Sequence, residues 1–269
     1  MTRRRSGTRE RRPWKAFRGL SRAGIWRYTL GMIITIDGPA GSGKSTAARQ
    51  LAKALGIAYL DTGATYRAAT LMALREGIDM EDEPALAALG RRADIRLIPE
   101  EGGTRVLLDG RDVSREIRTE EVSEKSYYVA RSPVVREVLV ELQRRLGAEL
   151  CDFVSEGRDQ GSVVFPRADF KFYMDASPEV RARRRTDEMR ADGQDVKYEH
   201  VLAAMLERDG RDRTRAVAPL VRPKGALDID TSNMTIDQVV AELRRHLPAR
   251  KPQAGEPARP PRAKREARP

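Results

Sequence analysis

The run Gly38-Pro39-Ala40-Gly41-Ser42-Gly43-Lys44-Ser45, followed by Thr46, constrains this chain more than any other stretch. It reads G-x-x-x-x-G-K-S, the pattern of a phosphate-binding loop. Chance would supply only about 0.005 such runs in a chain of this composition. The flanks agree with the pattern. Met32 to Asp37 is a short β-branched run, and Ala47, Ala48, Leu51, Ala52 and Leu55 recur with a helical period. A loop between a buried strand and a helix is thus expected. Its glycines let successive backbone N–H groups face one concavity, to which the helix N-terminus adds partial positive charge. Lys44 can reach β- and γ-phosphates, and the Ser45 hydroxyl can ligate Mg²⁺. The loop by itself does not distinguish a kinase from a GTPase or a motor ATPase.

Composition narrows the setting. A chain of 269 residues suffices for one good-sized α/β domain with tails. Cys151 is the sole cysteine, which excludes an intramolecular disulfide and argues against a cysteine metal site. His200 and His246 are too few for a histidine-rich metal site and read as helix-surface residues. The net charge of +11 invites a nucleic-acid reading, but its distribution opposes it. Residues 1–31 carry +9 and residues 249–269 carry +5, leaving −3 for the middle. Nucleic acid is therefore unexpected as a partner except through the basic tails. No stretch approaches the apolar length of a membrane span.

Residues 1–31 lack a persistent apolar face and a signal-peptide core, because Arg22 and Arg27 interrupt it. Met32 is the expected natural start, with 1–31 as a disordered basic extension. The Pro-rich, charged stretch 249–269 is expected to be disordered too. Between them strands and helices alternate, which implies an α/β fold with a mainly parallel, doubly wound sheet. Expected strands lie near Ile57–Leu60, Cys151–Ser155, Phe170–Met174 and Ala226–Ile229. Expected helices cover Ala64–Glu76, Glu83–Arg92, Pro133 to about Leu146, Pro178–Met189, Val196 to about Arg208 and Ile236–His246. Asp94–Ile98 and Arg105–Leu108, followed by Asp109-Gly110, break this style and read as an inserted antiparallel subdomain.

Ligands of such sheets bind beyond the carboxyl ends of the strands, and three polar clusters fall there. Asp61 to Arg67 follows the second strand; Asp61 or Thr62 can cap a helix, which leaves Tyr66 and Arg67 unexplained. Ser155 to Ser162 places Arg158 and Asp159 between two glycines, either as a mutual ion pair or as presented charges. Glu207 to Arg215, if helical through Gly210, puts Arg208, Arg211, Asp212 and Arg215 on one face. Three guanidiniums on one stripe suit phosphate oxygens; a solvated charged face is the alternative.

Together GPAGSGKST, LDTGATYR, DGRDVSREIRTEEV, SEGRDQGSVVFP and ERDGRDRTRAVAPL, in this order, resemble bacterial cytidylate (CMP) kinases. The resemblance spans about residues 32–247. It implies a kinase domain at 32–248 that transfers the γ-phosphoryl group of Mg²⁺-ATP to CMP or dCMP, giving CDP or dCDP and ADP. It further implies a CMP-binding insert at about 94–130 and an arginine-bearing lid at about 181–196. By motif, CMP contacts fall on Thr62, Tyr66, Arg67, Arg118, Arg136, Arg158, Asp159, Arg208, Asp212 and Arg215. Arg136 and Asp159 would read cytosine, while Arg208, Asp212 and Arg215 would hold ribose and phosphate. Arg183, Arg184 and Arg185 would approach the ATP phosphates, and catalysis would rest on Lys44, Arg158, Arg184 and Arg215. Two departures stand out: Tyr127 occupies a position where many members have serine, and Gln160 follows the Gly-Arg-Asp run in place of an aliphatic residue. A cytoplasmic monomer is expected. A related small-molecule kinase, or a nucleotide- or RNA-binding regulator using the tails, are the rival readings.

Overall fold

The computed structural model describes residues 31–100, 103–150 and 152–248. The two basic segments, apart from Gly31, and Cys151 lie outside the described residues. In chain order the elements begin with β1 (Ile33–Asp37), α1 (Lys44–Leu55), β2 (Ala58–Asp61), α2 (Thr62–Arg75) and α3 (Glu83–Arg92). There follow β3 (Ile95–Glu100), β4 (Gly103–Leu108), β5 (Arg111–Asp112), a 3₁₀ turn at Glu116–Arg118, α4 (Glu120–Arg131) and α5 (Pro133–Leu150). The remainder comprises β6 (Phe153–Gly157), a π-helical turn at Gln160–Val164, β7 (Phe170–Asp175), α6 (Pro178–Ala191), α7 (Tyr198–Thr214), β8 (Leu227–Asp230) and α8 (Ile236–Arg245).

The main sheet has five strands in the order β2-β6-β1-β7-β8, all parallel. Both of its faces are buried, which is why its strands are apolar almost without interruption. Ile34, Ile36, Val154 and Phe172 pack with Leu51 of α1 and Leu243 of α8. Phe153 packs on the other face with Leu60, Val140 of α5, Val164 and Phe165. Strand β1 is central: the chain leaves it for β2 at one edge, and later crosses it from β6 to β7 toward the other edge. Its carboxyl end is therefore the place where the winding direction changes and a crevice opens.

The antiparallel insert pairs β3 with β4 from Ile95↔Leu108 to Glu100↔Gly103, and β4 with β5. Asp109 and Gly110 both take positive φ, 49° and 79°, as a two-residue hairpin turn demands. The strands run further toward their connection than the sequence pattern suggests. Pro99 sits inside β3, tolerated because β3 is an edge strand. Helix α4 is absent from the sequence reading. Only Val122 and Val129 of its residues are buried, so its apolar period is faint. Helix α7 continues through Gly210 to Thr214, well past the expected end near Arg208. Among the described residues no helix is long and apolar enough to cross a membrane.

Candidate active site

The loop after β1 is assembled mainly from backbone. Gly41 and Gly43 adopt φ of 75° and 86°, a region that glycine enters without Cβ strain. The Ser42 hydroxyl donates to Pro39 O (3.0 Å), and Lys44 Nζ donates to the same carbonyl (3.0 Å). Burial, then the neighbouring Arg158, draws the Lys44 ammonium down to about 7. Thr46 is exposed in the first turn of α1.

At the loop's flank the Ser45 hydroxyl donates to Glu156 Oε1 (3.0 Å), which also accepts from the Tyr59 hydroxyl (3.2 Å). Asp37, the last residue of β1, accepts from the backbone N–H groups of Gln160 and Gly161, both at 2.7 Å. Those two bonds shape the π-helical turn that follows β6. Burial raises the Asp37 carboxyl to about 7 despite them. Sequence reasoning missed Asp37 and Glu156. The signal available was a carboxylate at a strand's carboxyl end, beside a glycine, in each case.

Across the crevice, side chains do the work that backbone does in the loop. Asp61 caps α2 by accepting from Ala64 N (3.0 Å), and it also pairs with Arg67 (3.1 Å) and Arg118 (3.2 Å). Capping and charge anchoring are thus both true of it. The Thr62 hydroxyl donates to Glu156 O (2.7 Å). Arg158 and Asp159 do not pair with each other. Arg158 Nε donates to Asp212 Oδ2 of α7 (2.9 Å), whereas Asp159 is bonded by Arg136 Nη2 of α5. Arg136 and Asp159 are both nearly fully buried, and the Arg136 guanidinium lies 5.5 Å from the centroid of the Tyr66 ring.

Burial pushes the Asp212 carboxyl up, but Arg158, joined by Arg208 and Arg215, holds the group below the usual carboxylate range. Arg215, the C-cap of α7, is depressed by burial and then by Arg136, and its Nε donates to Ala218 O (2.5 Å). Its buried Nη2 has no hydrogen-bond partner among the described residues. A donor buried without a partner is costly, so this one awaits an acceptor. Arg208 is exposed two turns earlier on α7. A cleft lined by Ser45, Asp61, Arg67, Arg118 and Glu156 joins the two sides.

The expected lid residues are less convergent. Arg184 donates to Thr231 O (2.6 Å) and to its hydroxyl (3.2 Å), and that hydroxyl donates to Ser42 O (3.0 Å). Arg184 is therefore linked to the loop through Thr231. Arg185 pairs with Glu188 (2.7 Å), and Arg183 is exposed.

A phosphate-binding loop at the winding switch of a parallel sheet, faced by a guanidinium-lined crevice, defines a kinase of the phosphate-binding-loop class. The cytidylate kinase family model matches residues 34–248. Cytidylate kinase from Caldanaerobacter subterraneus subsp. tengcongensis is 50% identical over 210 residues, covering 78% of this chain and 92% of that one. That from Desulforamulus reducens is 52% identical over 210 residues, covering 78% and 94%. This chain belongs to the cytidylate kinase family. A solved shikimate kinase from Bacteroides thetaiotaomicron overlaps more distantly, with 14% identity and a TM-score of 0.37 over 80% of this chain and 96% of that one.

Proposed function

We propose that the two walls of the crevice divide the two substrates of a CMP kinase between them. The enzyme transfers the γ-phosphoryl group of ATP to CMP or dCMP. Gly38 to Thr46 cradle the ATP phosphates, and Lys44 neutralises charge on the transferring group. Thr62, Tyr66, Arg67, Arg118, Arg136, Arg158, Asp159, Arg208, Asp212 and Arg215 take CMP, with the insert at 94–130 as one side of that pocket. The observation that carries this is the buried Arg136–Asp159 pair beside the partnerless Nη2 of Arg215. A fixed donor–acceptor edge there suits a polar base, and an open guanidinium suits a phosphate.

The acceptor is a phosphate oxygen already ionised near neutral pH, so no strong general base is required. Alignment and charge compensation supply the catalysis. Arg158 and Arg215 hold the acceptor phosphate, while Arg184 steadies the donor side through Thr231. The Ser45 hydroxyl and Glu156 carboxylate are hard oxygen donors side by side at the loop's flank, and they suit Mg²⁺. Bound there with ATP, the ion would offset charge on the phosphates. The lid at 181–196 excludes water, so ATP hydrolysis without acceptor is expected to be slight. The enzyme is read as a cytoplasmic monomer.

A coupled assay offering CMP, dCMP, UMP, AMP and GMP tests the assignment. CMP and dCMP are expected to lead, and a preference for a purine nucleotide contradicts it.

A further inference from the structure

The largest fully buried side chain among the described residues is that of Arg181, which the substrate assignment leaves unused. Its guanidinium makes close contacts in three places at once, with Asp175 Oδ1 a more distant fourth neighbour at 4.0 Å. Nη1 donates to Ala40 O of the phosphate-binding loop (3.1 Å), and Nε donates to Ala176 O at the end of β7 (2.9 Å). Nη2 pairs with Asp209 of α7 (2.6 Å), where both side chains are almost wholly buried. Asp209 lies one helical turn before Asp212, the partner of Arg158, and two turns before Arg215.

A second contact joins the same parts independently. A Cβ on Gly41 would stand 2.7 Å from Met205 Cε of α7 and 3.1 Å from Arg181 Cβ. The loop thus fits against α6 and α7 with no room to spare. Apolar packing alone could hold these elements together, because a buried ion pair gains little net stability over apolar residues of similar volume. Packing of that kind is not directional. A planar guanidinium with fixed donors is, and only Arg spans a carbonyl, a second carbonyl and a carboxylate together.

We infer that Arg181, clamped by Asp209, is a positioning residue that sets the spacing between the donor loop and the acceptor-bearing end of α7. The inference rests on the division of substrates proposed above. Arg181 touches neither nucleotide in that scheme. It acts through Ala40 on one side and through the Asp209–Asp212 turn on the other. In-line transfer needs the two phosphates aligned, and an error of about 1 Å can cost about a hundredfold in rate.

The test uses the full chain and two variants, the double replacement Arg181→Met/Asp209→Leu and the single Arg181→Lys. The double variant swaps the pair for apolar bulk and is expected to fold. The single variant keeps the charge but cannot span three acceptors. Calorimetry gives the dissociation constants of ATP and CMP separately, and steady-state kinetics gives kcat. Both constants are expected to stay within about threefold of wild type, while kcat falls about a hundredfold in the double variant and about tenfold in Arg181→Lys. If the double variant does not fold, the Arg181→Lys split decides. A folded variant with kcat within about twofold of wild type overturns the inference, as does a loss explained wholly by weaker binding of one nucleotide. Failure of the wild-type enzyme to phosphorylate CMP would instead overturn the functional reading.

Discussion

Under the proposed division of substrates, the donor cradle and the acceptor pocket would grip phosphate with opposite materials. The cradle is contiguous in sequence and made from backbone N–H groups, two left-handed glycines and a single lysine. The acceptor pocket draws on α2, the insert, α5, the turn after β6 and α7. It is made of side-chain charges that pair with one another. Backbone geometry needs no compensating charge, so the cradle can be short and nearly self-contained. Buried charges need partners, so the pocket pairs its arginines with its own carboxylates, Asp61, Asp159 and Asp212. Removing one charge should therefore act differently on the two sides: chemistry alone is lost from the cradle, whereas chemistry and stability go together in the pocket.

The sharpest break is Lys44→Ala. It should lower kcat by about a thousandfold or more while the melting temperature changes little, because the Lys44 ammonium bonds the Pro39 carbonyl and no buried carboxylate loses a hydrogen-bond partner. Near-normal turnover would contradict the assignment. On the other side, Asp159→Ala leaves Arg136 buried and unpaired. It should lower kcat/KM for CMP about a hundredfold and cost about 3–5 kcal/mol in denaturant unfolding. A variant of unchanged stability would show that the pair is not the buried unit described here.

Proton linkage separates the regions again. Asp37 is raised in the fold to about 7. Its contribution to stability is thus complete below its unfolded value of 3.8 and is lost as pH climbs through about 7. Asp37→Asn should therefore gain on the wild type in unfolding experiments as pH rises from about 4.5 to 7.5; a gap that is constant with pH would contradict this. Lys44, lowered to about 7, should regain its proton when ATP enters, so calorimetry near pH 8 in buffers of different ionisation enthalpy should register proton uptake. The smallest effect expected is that of Gly210→Ala. A Cβ at this helical position meets open space, so the change should stabilise α7 by about 0.5–1 kcal/mol with activity intact.

How far the molecule could be read in advance follows the same division. The cradle was legible because its chemistry is local: eight successive residues specify a turn and a helix start. The parallel sheet was legible because buried strands are apolar on both faces. The pairing of the acceptor charges was not. Arg158 and Asp159 are neighbours in sequence yet take partners on α7 and α5 respectively, a choice made by the π-helical turn that Asp37 holds from another strand. Gly210 argued against a continuous helix by propensity, but α7 is fixed from outside by the buried Arg181–Asp209 pair. Helix α4 escaped because its polar face dominates its short apolar one.

The division of labour between the walls can be tested by titrating ATP and CMP separately into Lys44→Ala and Asp159→Asn by calorimetry. Lys44→Ala should lose affinity for ATP and keep CMP, and Asp159→Asn should lose CMP and keep ATP. Equal weakening of both nucleotides in either folded variant would contradict two independent grips.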